Sequence, residues 1–81
     1  MDKQYNLKTV EKIMQYQPYV EKLHSCAEYL IFKRTKKKQR VISMDIIHTE
    51  HGVVTYEVET YYSLYYVVIN YNSMTGYANF A

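Results

Sequence analysis

Tryptophan is absent from this chain, cysteine and proline occur once each, and there are only two glycines. Cys26 alone excludes an internal disulfide, which suits a reducing compartment and leaves only an intermolecular bridge open. Two glycines leave no glycine-rich loop whose backbone could cradle a phosphate. No run of about 18 apolar residues occurs either, as a membrane-spanning helix requires. The longest uncharged segment, residues 60–81, is broken by Ser, Asn, Thr and Gly, and its tyrosines carry hydroxyls. The start, MDKQYNLK, has no apolar core behind its charges and does not read as a secretory signal. These absences together lead to the expectation of a soluble, cytoplasmic protein without membrane contact.

Charge is scarce in total but unevenly placed. The net charge is only +2 across 81 residues, yet six of the ten basic residues fall in the octapeptide KRTKKKQR, residues 33–40. Outside it, four lysines face eight acids. Such asymmetry says more about partners than the total does. Richness in Tyr, Asn, Lys and Ile is typical of A/T-rich coding sequences, and viral or mobile-element origin is the compositional expectation.

One domain, residues 1–81, is expected from the length. So short a chain buries a modest share of its surface, which makes stability marginal. Asn6 suits a helix N-cap, because its side-chain oxygen can accept from free amides of the first turn. Leu7, Val10, Ile13 and Met14 share one helical face behind it, which predicts a helix over 7–17. Pro18 ends or kinks that helix and suits the first position of another. Val20, Leu23 and Ala27 then continue a helical stripe, predicting a helix over 18–33. Residues 28–34, EYLIFKR, admit two readings. Leu30 extends the stripe, while Tyr29, Ile31 and Phe32 favour a strand. Helix is preferred, because the basic linker 33–40 lacks the Gly, Asn or Pro of a tight hairpin.

Beyond the basic run the period changes to two. Ile42, Met44 and Ile46 alternate with Ser43 and Asp45, and Val54, Tyr56 and Val58 alternate with Thr55, Glu57 and Glu59. Strands are expected over 40–48, 53–59, 63–71 and 76–80, with turns at 48–52, 59–63 and NSMTG. The fold class is therefore α+β, with one or two N-terminal helices packed on a three- to four-stranded antiparallel sheet.

The segment YYSLYYVVINY, residues 61–71, holds five tyrosines and no charge. Tyr62, Leu64, Tyr66 and Val68 alternate with Tyr61, Tyr65, Val67, Ile69 and Tyr71, so the strand is apolar on both faces. One helical layer covers only one face of a sheet. The other is either wetted through its hydroxyls or covered by a second subunit. The second option predicts a homodimer with Tyr61, Tyr65, Val67, Ile69 and Tyr71 at its interface.

Three constellations bear on chemistry. The cations Lys33, Arg34, Lys36, Lys37, Lys38 and Arg40 suit neutralisation of DNA or RNA phosphates, with release of condensed counterions. Tyrosines nearby would add stacking on unpaired bases. The competing readings are a solvated linker, whose lysines favour the end of a helix dipole, and contact with an acidic protein. Next, His24, Cys26, His48 and His51 offer donors that zinc accepts, but H-x-C is a poor zinc spacing. If 20–33 is helical, His24 and Cys26 point about 200° apart. Lastly, His48, Glu50 and His51 could exchange protons near neutral pH, yet no nucleophile with an organised base stands in the sequence. HTEH is not the zincin motif, and Glu57 with Glu59 suits a wet strand face. No catalytic residue, metal or cofactor is therefore expected. The leading expectation is a non-catalytic nucleic-acid-binding protein. The alternative is an interaction protein that occupies a host protein through a tyrosine-rich sheet face or an edge strand.

Overall fold

A computed structural model of the chain describes residues 3–8, 10 and 19–81. Within them one helix packs on a five-stranded antiparallel sheet, so the class is α+β. The elements are β1 (Tyr5–Asn6), α1 (Tyr19–Thr35), β2 (Val41–Glu50), β3 (Val53–Thr60), β4 (Leu64–Asn70) and β5 (Thr75–Phe80). Their order across the sheet is β1-β5-β4-β3-β2. Two features differ from expectation. The sheet gains a fifth strand, and the helix follows a strand instead of leading the chain. β1 spans two residues, opposite Gly76 and Thr75, which is too short to show an alternating pattern. Most of the helix expected over 7–17 lies outside the described residues. Its proposed cap does form, since Asn6 Oδ1 accepts from the Lys8 amide at 2.8 Å.

Helix α1 takes in the whole of residues 28–34. Cys26, Ala27, Leu30 and Ile31 are its buried positions, the i, i+3, i+4 stripe of a helix with one dry face. Of these, Ala27, Leu30 and Ile31 meet Tyr56, Val58, Tyr65, Val67, Ile69 and Ala78 from the sheet, together with Leu7. The strand-favouring character of Ile31 is thus overridden by its place in that stripe. Where the helix crosses β5 the approach is close. A Cβ on Gly76 would stand 2.8 Å from the Val68 carbonyl oxygen and 2.9 Å from Leu30 Cδ1.

The turn between β2 and β3 is tighter than expected. It occupies only His51 and Gly52, with φ of 50° and 79°, the positive pair that a two-residue type I′ hairpin requires. β2 carries register shifts between Val41 and Ser43 and between Ile46 and His48. Such bulges bend an edge strand and discourage pairing with another chain. Among the described residues no helix is long and apolar enough to cross a membrane.

Candidate functional site

The antiparallel register gives the sheet two unlike ends. One end holds the β2–β3 and β4–β5 turns, and the other holds the C-terminus of α1, the β3–β4 turn and Phe80. Every cation of KRTKKKQR belongs to the second end.

How that run is held follows from its few uncharged members. Helix α1 ends because Lys36 takes a left-handed φ of 63°, and its amide donates to the Phe32 carbonyl at 2.7 Å. This closes the helix with the αL cap usually given to glycine. Thr35 Oγ1 donates to the Ile31 carbonyl at 2.8 Å and accepts from the Lys37 amide at 3.2 Å. Gln39, in the middle of the charges, is buried. Its Oε1 accepts from Thr60 Oγ1 at 2.8 Å and from the Tyr65 hydroxyl at 2.9 Å, while its Nε2 donates to Thr35 Oγ1 at 3.3 Å. Two turns before Thr35 on α1, Glu28 Oε2 accepts from the Val41 amide at 3.0 Å. The backbone of residues 36–40 is therefore braced at Lys36, at Gln39 and by the Glu28–Val41 bond, while the cationic side chains are exposed.

Several of the cations rest on aromatic rings. Lys37 Nζ lies 3.8 Å from the Tyr62 ring centroid, and the Arg34 guanidinium lies 4.9 Å from that of Phe80. Lys33 Nζ stands 5.4 Å from Tyr29 and 5.8 Å from Tyr5. Lys36, Lys37, Lys38 and Arg40 are exposed. Like charges so crowded repel one another, and the ring faces offset part of that cost by attracting cations.

The open face of the sheet has the opposite character. Its registered rows place Ser43 by Glu59 and Leu64, Asp45 by Glu57 and Tyr66, and Thr55 by Val68 and Tyr77. Along β2, β3, β4 and β5 this face bears Asp45, Glu50, Glu57 and Glu59 but no lysine or arginine. The fold thus separates the two signs that the sequence showed only as a run and a deficit.

The expected dimer interface needs correction. Tyr65, Val67 and Ile69 are at most 2% exposed and lie beneath α1 in the core. Tyr71 bonds the Tyr56 hydroxyl at 2.7 Å, and Tyr61 sits in the β3–β4 turn at 78% exposure. The face chosen for a partner is the one the helix covers. Alternation fixes which residues share a face, but both rows were apolar, so nothing in the strand itself said which row was inward. The uncovered row is Leu64, Tyr66 and Val68, with Tyr62 in the turn before it.

The four candidate zinc donors do not come together. With 19–35 helical, His24 and Cys26 diverge, and Cys26 is buried. His48 and His51 flank Glu50 in a solvent-exposed group, with the nearer Nε2–Oε2 distance 3.3 Å. Among the described residues no group of three or more potential metal ligands forms. Glu57 and Glu59 share the open face.

Sequence reasoning missed Gln39 and Glu28, which carry the bracing. A polar residue inside a charge run gives no signal of burial. The chain matches no protein-family model, no curated protein and no solved structure.

Proposed function

We propose that this protein binds nucleic-acid phosphates, without catalysis, through Lys33, Arg34, Lys36, Lys37, Lys38 and Arg40. One observation supports the reading above the rest. Gln39, near the end of the run, pins it to Thr60 and Tyr65, so the backbone that carries the cations is a fixed rim and not a loose tether. A backbone already fixed spares the ordering cost of the loop on meeting phosphates, and more of the electrostatic gain survives as affinity. The acidic open face would turn away from the same polyanion, which orients the molecule on it.

Fluorescence anisotropy with labelled single- and double-stranded DNA and RNA, at low and near-physiological salt, tests the proposal. Micromolar binding that weakens steeply with salt and is lost in K36A/K37A/K38A is the expected outcome. Binding unchanged in that variant assigns the contact elsewhere.

A second reading, contact with a host protein, is favoured by the open face. Leu64 and Tyr66 are 39% and 38% exposed there and have no cover among the described residues. Tyrosine-rich contact of that kind loses little affinity as salt rises, which separates the two readings.

A further inference from the structure

Beside the basic rim, between the outer side of α1 and the segment entering β2, runs a groove of about 460 Å³ lined by Glu28, Tyr29, Phe32, Lys38, Gln39 and Arg40. Its size lies in the range of small-ligand sites, roughly 300–1,000 Å³. Its chemistry is of two kinds. Tyr29 and Phe32 are half-buried rings one helical turn apart, and Lys38 and Arg40 are exposed cations two residues apart on the opposite wall. Tyr29 is held in place by Tyr5, whose ring stands at 84° to it at 6.5 Å, and by Lys33, whose Nζ lies 5.4 Å from the ring centroid. The floor is fixed too, because Glu28 ties the helix to β2 and Gln39 ties the segment to the core.

We infer that this groove receives one unpaired nucleotide, its base against Tyr29 and Phe32 and its phosphate on Lys38 and Arg40. The inference rests on the phosphate-binding reading and deepens it, since it makes single strands the preferred class of nucleic acid. A duplex presents phosphates to the rim but keeps its bases stacked out of reach of the groove. An unpaired base has a free face, and stacking on a protein ring needs no particular sequence. A phosphate alone would use the cations and leave the rings idle. An apolar ligand would leave two cations and a carboxylate unmatched. A nucleotide, an aromatic ring joined to a phosphate, uses both walls.

The test uses the intact chain with three probes, a labelled oligothymidylate, a duplex of equal length, and thymidine 5′-monophosphate. Ultraviolet crosslinking to the oligothymidylate followed by peptide mass spectrometry is expected to mark Tyr29 or Phe32. The wild type is expected to bind the single strand about tenfold or more tighter than the duplex. Y29L/F32L, which keeps apolar bulk, is expected to lose that preference while duplex binding stays. Saturable binding of the monophosphate would make a free nucleotide the ligand, and oligonucleotide binding alone would make it a strand. Crosslinks confined to other residues, with the preference intact in Y29L/F32L, overturn the inference but leave phosphate binding standing. No binding of any probe at low salt overturns both. If Y29L/F32L does not fold, the wild-type crosslinks and the variant R40Q, expected to weaken single-strand binding more than duplex binding, decide the matter.

Discussion

The hydroxyl of Tyr65 donates to Oε1 of Gln39 at 2.9 Å, joining the uncharged strand to the basic run. The strand supplies the rigidity and the run supplies the charge. Removing the acceptor tests this link. Gln39→Leu leaves the buried hydroxyls of Thr60 and Tyr65 without that oxygen, and a cost of about 1–3 kcal/mol is expected. Denaturant unfolding reads the loss, and faster amide exchange across residues 36–41 is expected with it.

Lys36 separates stability from binding. A non-glycine residue in the left-handed region costs about 1 kcal/mol or more, and the helix cap there needs only the backbone. Lys36→Gly is therefore expected to raise the unfolding free energy by about 1 kcal/mol while weakening nucleic-acid binding. A variant that gains stability and binds as well as the wild type would mean that this lysine makes no phosphate contact.

Gly76 is required by packing. Gly76→Ala drives a methyl group against the Val68 carbonyl and Leu30, and overpacking of this kind costs about 1–3 kcal/mol. Thermal unfolding of the variant should show a clearly lowered midpoint. An unchanged midpoint would mean that α1 stands further from β5.

Alkaline pH should loosen the fold through the Tyr56–Tyr71 pair. Burial is the main cause that raises both hydroxyls above the ordinary tyrosine value of 10.0, and for Tyr71 the bond to Tyr56 adds to it. Above pH 10 the unfolded chain gives up these protons while the folded chain keeps them, so stability falls as pH rises through that window. Below pH 10 the contribution is fully present. Melting midpoints from pH 8 to pH 11.5 are expected to fall less steeply above pH 10 in Y56F/Y71F than in the wild type.

The sequence and the fold agree where the pattern was strong. β3 buries Tyr56 and Val58, the face its alternation indicated, and α1 buries Ala27 and Leu30 of its stripe, whereas on the edge strand β2 Ile42 and Ile46 stay exposed. Three features escaped. β1 is too short to have a period. The sidedness of β4 was hidden because apolar residues occupy both of its rows, and only the helix decides between them. The ordering of KRTKKKQR depends on Gln39 meeting residues 21 and 26 positions later, a long-range pairing that no local spacing reveals. The charge asymmetry was visible as composition, whereas its division between the basic end and the open sheet face required the register.

That division makes its own prediction. Neutralising the open face with D45N/E57Q/E59Q removes repulsion toward a polyanion without touching the basic end, and nucleic-acid affinity is expected to rise modestly, most at low salt. A loss of affinity in this variant would place nucleic acid on the sheet face.

The most direct measurement is the salt dependence of single-strand affinity. If all six cations of residues 33–40 meet phosphates, the plot of log K against log salt has a slope of about −4, and K36A/K37A/K38A reduces it to about −2. A slope near zero, or one that the triple substitution leaves unchanged, would contradict the assignment of phosphate binding to the basic rim.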